Sequence, residues 1–169
     1  MYQSVLPNGQ CLSEDLLWKN CPKEEKGNYQ YLLDVIDWPA NVDKDFKKHH
    51  FMRPIVIHSD KTYTEEWICY LSKLVCAKRL TVYPNQKVII KDNAAYGMIL
   101  IQGYGTMGKW EIETPTLIRY GELTNDEFFV SEEAAKKGVT IVNKSSNEPL
   151  VMLKHFAENP DLIKFFKKK

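Results

Sequence analysis

From Arg53 onward apolar and polar residues alternate in short runs, and the runs recur about every ten residues with turn chemistry between them. A period of two gives a strand one apolar and one polar face, and this spacing of short strands is that of a sandwich or barrel. The pattern predicts strands over Pro54–His58, Glu66–Leu71, Ala77–Tyr83, Lys87–Lys91, Tyr96–Gln102, Lys109–Glu113, Thr116–Tyr120, Glu127–Val130, Val139–Asn143 and Leu150–Phe156. Turns fall at Tyr83–Gln86, Asp92–Ala94, Gly103–Gly105 and Ser145–Pro149. One helical segment interrupts the series, Ser131–Gly138, with a serine cap, acids in its first turn, lysines in its last and glycine at its stop.

Helical spacing replaces alternation in the first fifty residues. Ser13–Trp18 reads as a short N-capped helix and Tyr29–Trp38 as a second one, ended by Pro39. Lys23–Lys26 and Lys44–Lys48 read as solvated connectors. The chain therefore divides into an arm with short helices (1–50), a β domain (51–158) and a C-terminal helix or tail (159–169). Leu162, Ile163, Phe165 and Phe166 would dock that tail and leave its terminal lysines in solvent.

Composition narrows the function classes more than it selects one. The 169 residues are 44% hydrophobic and 27% charged, with 23 basic against 22 acidic side chains and a net charge of +1. That balance supplies no general field for nucleic acid or an anionic membrane, so neither is expected as a partner. No apolar run reaches the roughly 18 residues of a membrane span. Cys11, Cys21, Cys69 and Cys76 are spaced too widely for metal knuckles, and no leader-like segment opens the chain, which together suit a cytoplasmic protein with reduced thiols.

Gly103-Tyr-Gly-Thr-Met-Gly108 spells the dinucleotide pattern G-x-G-x-x-G after a predicted strand. In such a site the third glycine opens a helix whose N-terminus holds the pyrophosphate. Here Lys109–Glu113 continues with strand alternation into a Thr-Pro turn, so the glycines read as places where one strand turns tightly into the next.

The stretch Leu80–Lys91, then Tyr96–Gly105, then Gly138–Asn143 followed by Asn147–Leu153, resembles the cupin superfamily of small antiparallel barrels. More narrowly it is similar to uncharacterised cupin proteins labelled mannose-6-phosphate isomerase-like. The resemblance implies an all-β fold, a cupin-like antiparallel β-barrel (double-stranded β-helix or jelly roll), and a homodimer across which the aromatic arm would lie. It also implies a centre of three histidines and one glutamate, and here the sequence departs from the family. With Asn85 on the first glycine of G-x5-H-x-H-x3,4-E-x6-G, the two histidine positions hold Lys91 and Asn93, and the glutamate position holds Met98 or Tyr96. Of the second motif, P-x-G-x2-H-x3-N, only Asn143 survives. No cofactor is therefore expected, and a divalent metal would need a non-standard site built from His58 or His155 with a carboxylate or cysteine.

The interior mouth of such a barrel would be lined by Lys91, Asn93, Tyr96 and Gln102, with Lys109 and Glu111 on a neighbouring strand. A lysine, an amide and a phenol suit a sugar hydroxyl, a carboxylate or a phosphate. Lys91-Asp-Asn93 reads equally well as an exposed turn. No nucleophile constellation stands out, no catalytic residue can be named, and Glu111, Glu113, Glu122 and Glu127 are the carboxylates available for acid–base work. Three functions are consistent with this: a metal-free binder of a small polar, carbohydrate-related ligand; an enzyme of the sugar-phosphate isomerase type with an unorthodox metal or acid–base site; and a structural or oligomerising barrel filled by its own side chains.

Overall fold

A computed structural model describes residues 5–11, 13–72, 74–114 and 123–162. The predicted strand Thr116–Tyr120 and residues 163–169 of the tail lie outside these. The chain forms two compact units, residues 1–51 and 52–169.

The first unit is built from short helical pieces. Glu14–Leu16 and Lys23–Glu25 are single 3-10 turns, followed by α1 (Tyr29–Asp34), α2 (Trp38–Asn41) and α3 (Phe46–His50). Ser13, Asn28 and Asp37 cap their segments by accepting from main-chain amides. Two expectations change here. Pro39 lies at the start of α2 rather than ending a helix, a position where its missing N–H leaves no bond unmade. Residues Phe46 to Lys48, read as part of a charged connector, belong to α3.

The described residues of the second unit form ten strands: β1 (Ile55–Ser59), β2 (Tyr63–Cys69), β3 (Cys76–Val82), β4 (Lys87–Ile90), β5 (Tyr96–Gln102), β6 (Tyr104–Met107), β7 (Trp110–Glu113), β8 (Glu127–Val130), β9 (Val139–Asn143) and β10 (Leu150–Phe156). The helix α4 (Glu132–Lys137) carries the serine cap, charge order and glycine stop its sequence predicts, and residues 160–162 are helical as expected of the tail. All ladders are antiparallel, in a six-stranded sheet ordered β1-β2-β3-β10-β5-β8 and a four-stranded sheet ordered β4-β9-β6-β7. The eight strands β3 to β10 run in jelly-roll order, changing sheet at every step except the β6–β7 hairpin, and the β1–β2 hairpin widens one sheet. Trp67, Leu80 and Val82 of the larger sheet and Val88, Ile90, Met107, Ile112 and Ile141 of the smaller share one apolar cluster, so the sheets pack face to face.

The expected closed barrel is thus corrected to two open sheets. No ladder among the described residues joins them, because the larger sheet continues past β3 into β2 and β1 instead of pairing with β4.

The three glycines have separate steric reasons. Gly103, at φ +86°, passes so close to the Pro149 carbonyl that a Cβ there would sit 2.7 Å from it. Gly105, inside β6, lets β9 approach until a Cβ would be 2.0 Å from the Val142 carbonyl oxygen. Gly108, at φ +60°, opens the two-residue turn of the β6–β7 hairpin. The segment read as a turn is therefore mostly strand.

Gly105→Ala is expected to lower the unfolding free energy in urea by about 2–3 kcal/mol, because backbone must move to admit the methyl group. Gly108→Ala meets open space and only the left-handed backbone penalty, and should cost about 1 kcal/mol.

Candidate functional site

Three strands of the larger sheet each carry one charged residue on their inward, otherwise apolar face. These are Glu65 beside Trp67 on β2, Lys78 between Cys76 and Leu80 on β3, and Lys154 between Met152 and Phe156 on β10. The ladder sets Lys78 directly opposite Lys154, which brings their Cβ atoms within about 5 Å. Two ammonium groups so placed in an apolar layer repel each other and lose their water, so they require counter-charge.

Two carboxylates supply it. Asp92, two residues beyond β4 and thus presented from the other sheet, places Oδ1 2.6 Å from Lys78 Nζ and Oδ2 2.7 Å from Lys154 Nζ. Glu65 pairs with Lys154 and lies 3.8 Å from Lys78. The four side chains are at most 9% exposed and sum to zero charge. Aromatic faces complete the shell: Lys78 Nζ sits 4.8 Å from the Trp67 ring centre and 5.5 Å from that of Phe156, and Lys154 Nζ lies 5.3 Å from that of Tyr96. The Asp92 amide donates to the Ala135 carbonyl of α4 at 3.1 Å, which fixes the carboxylate-bearing segment.

Tyr96 borders this tetrad. Its hydroxyl is buried and has no hydrogen-bond partner among the described residues. Burial, reinforced by the negative charges of Asp92 and Glu65, raises its pKa well above the ordinary phenol value.

The sequence-predicted contacts are dispersed relative to this centre. Tyr96 faces inward with Met98 and Leu100, following the strand alternation. Gln102 does not: β5 sets Leu100 opposite Met152 and Gln102 opposite Val151, so Ile101 is an extra residue whose bulge turns Gln102 to the surface. Along β4 the inward positions are Val88, Ile90 and then Asp92, which leaves Lys91 and Asn93 exposed. Asn93 donates to Asp161, and Glu111 pairs with Lys144 at 2.8 Å. Lys109 is exposed over the Trp110 ring. Asn143 is buried between the sheets and structural, its amide donating to the Val82 and Glu148 carbonyls while its oxygen accepts from the Ser145 amide. Of the acid–base candidates, Glu122 lies outside the described residues.

The interior polar groups do not fit a divalent cation. Each carboxylate oxygen that faces inward is met by an ammonium group, and no histidine joins them. His58 stacks on Tyr63 with its Nε2 2.9 Å from Asp60, and His155 is exposed and lies against Gly97. Among the described residues no three His, Cys, Asp or Glu side chains are grouped to hold a metal ion.

Grooves open on the surface of this unit, one of them, of about 420 Å³, beside Gly97, Glu127, Phe128 and His155. Another, of about 360 Å³, is lined by Ile101, Gln102, Gly103, Tyr104, Glu113, Thr114 and Glu148. A third, of about 580 Å³, runs between the β6–β7 turn, β8 and α4.

No protein-family model and no curated protein matches the chain. Among solved structures it is similar to a chain of the complex of SigE with the anti-sigma ChrR from Rhodobacter sphaeroides, at 11% identity over 84% of this chain and 73% of that one, with a TM-score of 0.46. It is also similar to RmlC-like cupins from Ralstonia eutropha JMP134 (6% identity, 62% of each chain, TM-score 0.43) and Shewanella frigidimarina NCIMB 400 (10%, 66% of this chain and 94% of that one, 0.42). At such identities and scores these likenesses assign no activity, ligand or partner, and they give no support to an isomerase. Among the described residues no helix is long and apolar enough to cross a membrane.

Removing one member of the tetrad strands a buried charge. Asp92→Asn should therefore cost about 3–5 kcal/mol in urea unfolding, whereas replacing all four groups with apolar residues of similar size should recover most of that loss. Because the folded pKa of Tyr96 lies above its unfolded value, its contribution to stability is complete below about pH 10 and is lost as pH rises from there through the folded pKa. Urea midpoints measured between pH 9 and 12 should fall less steeply in Tyr96→Phe than in the parent protein.

Proposed function

We propose that this chain is a metal-free binding module whose sealed interior is structural and whose small polar, carbohydrate-related ligand is met at the surface. The observation that carries the reading is the tetrad: the groups that would otherwise face a ligand inside the sandwich are already one another's partners. Of the sequence-predicted contacts, Gln102 lines the polar groove of about 360 Å³. There its amide lies 3.4 Å from Glu148, beside the half-exposed ring of Tyr104 and the hydroxyl of Thr114. An amide, a carboxylate and a hydroxyl exchange hydrogen bonds with sugar hydroxyls, and a tyrosine ring offers a flat apolar face for a pyranose.

The filled interior also favours a second reading, a structural or oligomerising sandwich that takes no ligand. Mannose, glucose and mannose 6-phosphate titrated into the protein, with backbone amide NMR as the readout, distinguish the two. The binding reading expects saturable shifts at Gln102 and Tyr104 that survive a chelator and are reduced at least ten-fold in affinity by Gln102→Ala. No saturable shift with any of the three sugars would leave the structural reading.

A further inference from the structure

The groove of about 580 Å³ has a chemistry that neither the tetrad nor the polar groove shares. Its lining is largely apolar, with Met107, Val130, Val139 and the rings of Trp110 and Phe129, and includes the hydroxyls of Ser131 and Thr140. Those rings are 52% and 76% exposed, a large apolar surface to leave in water. Among the described residues every charged residue lining the groove is a lysine: Lys109 on the β6–β7 turn and Lys137 in the last turn of α4. Neither is in an ion pair among the described residues, and Lys109 Nζ lies 5.0 Å from the Trp110 ring centre. Of the acids close in sequence, Glu111 pairs with Lys144 at 2.8 Å, and Glu132, at the opposite end of α4 from Lys137, pairs with Lys136.

We propose that this groove is a binding site for a small organic anion with a flat apolar body, of the aryl carboxylate or sulfonate class. The flat body would lie between Trp110 and Phe129, and the anionic group would reach the two ammonium groups. The volume of about 580 Å³ accommodates a bicyclic ring system. Two lysines in a largely apolar lining favour such an anion over a neutral or cationic molecule of the same shape.

The test uses the full chain and three probes of one shape: 1-naphthoate, 1-naphthol and 1-naphthylmethylamine, followed by tryptophan fluorescence and isothermal titration at low and moderate salt. The site predicts saturable 1-naphthoate binding at least ten times tighter than that of the amine, weakening as salt rises. Lys137→Glu and Lys109→Glu, both at exposed positions, should each weaken naphthoate by about five-fold or more while leaving the amine unweakened. Trp110→Ala should weaken all three probes. Absence of saturable naphthoate binding, or equal affinity for naphthoate and the amine, would overturn the proposal. So would a dimer that Trp110→Ala dissociates, because the rings would then cover a second copy of the chain.

Discussion

The contact on which this fold depends is the one between Asp92 and two lysines. The register of β3 against β10 places Lys78 and Lys154 side by side in an apolar layer, an arrangement that fails without counter-charge. Glu65 arrives from the neighbouring strand of the same sheet. Asp92 arrives from the other sheet, with one oxygen on each lysine, and so ties the two layers at one point. Hydrophobic burial presses the sheets together without direction, whereas this pairing is directional and admits few alternative alignments. Its partners are fixed in turn: Asp92 by the hydrogen bond its backbone N–H donates to the Ala135 carbonyl, and the ammonium groups by the rings of Trp67, Phe156 and Tyr96.

That arrangement also decides where function can lie. Two carboxylates and a phenol inside a jelly roll would make a plausible reaction chamber if they were unpaired. Here the carboxylates are neutralised, and Tyr96, raised in pKa by burial and by its acidic neighbours, stays a neutral phenol through the physiological range. The grooves stay open to solvent, among them one around Gln102 and a largely apolar one with two lysines around Trp110.

Most strands were legible in the sequence because alternation survives wherever one face is buried: Tyr96–Gln102, Glu127–Val130, Val139–Asn143 and Leu150–Phe156 carry the observed bounds. β6 was hidden by its glycine, which marks a close backbone approach as readily as a turn. The site was harder to read, for two physical reasons. A bulge at Ile101 reverses the facing of Gln102, and no residue type announces it. At Lys91-Asp-Asn93 the inward choice differs by one residue, and the alternation of Val88 and Ile90, carried forward, selects Asp92. The same alternation puts Lys78 in register with Leu80 and Val82, Lys154 with Met152 and Phe156, and Glu65 with Trp67. Four charged residues on apolar faces, equal in sign count, are a signal the sequence contains; which of them meet is set by the strand order, which it does not.

The central claim is that Lys78 and Lys154 are charged, paired and shut away from water. Lysine-selective nitrogen-15 NMR of the side-chain ammonium groups at neutral pH tests it directly, with Lys78→Met and Lys154→Met for assignment. Two ammonium signals are expected whose protons exchange with solvent far more slowly than those of the surface lysines, one vanishing in each variant. If every lysine ammonium exchanged at the surface rate, the tetrad would be open to water and the interior would again be a candidate site.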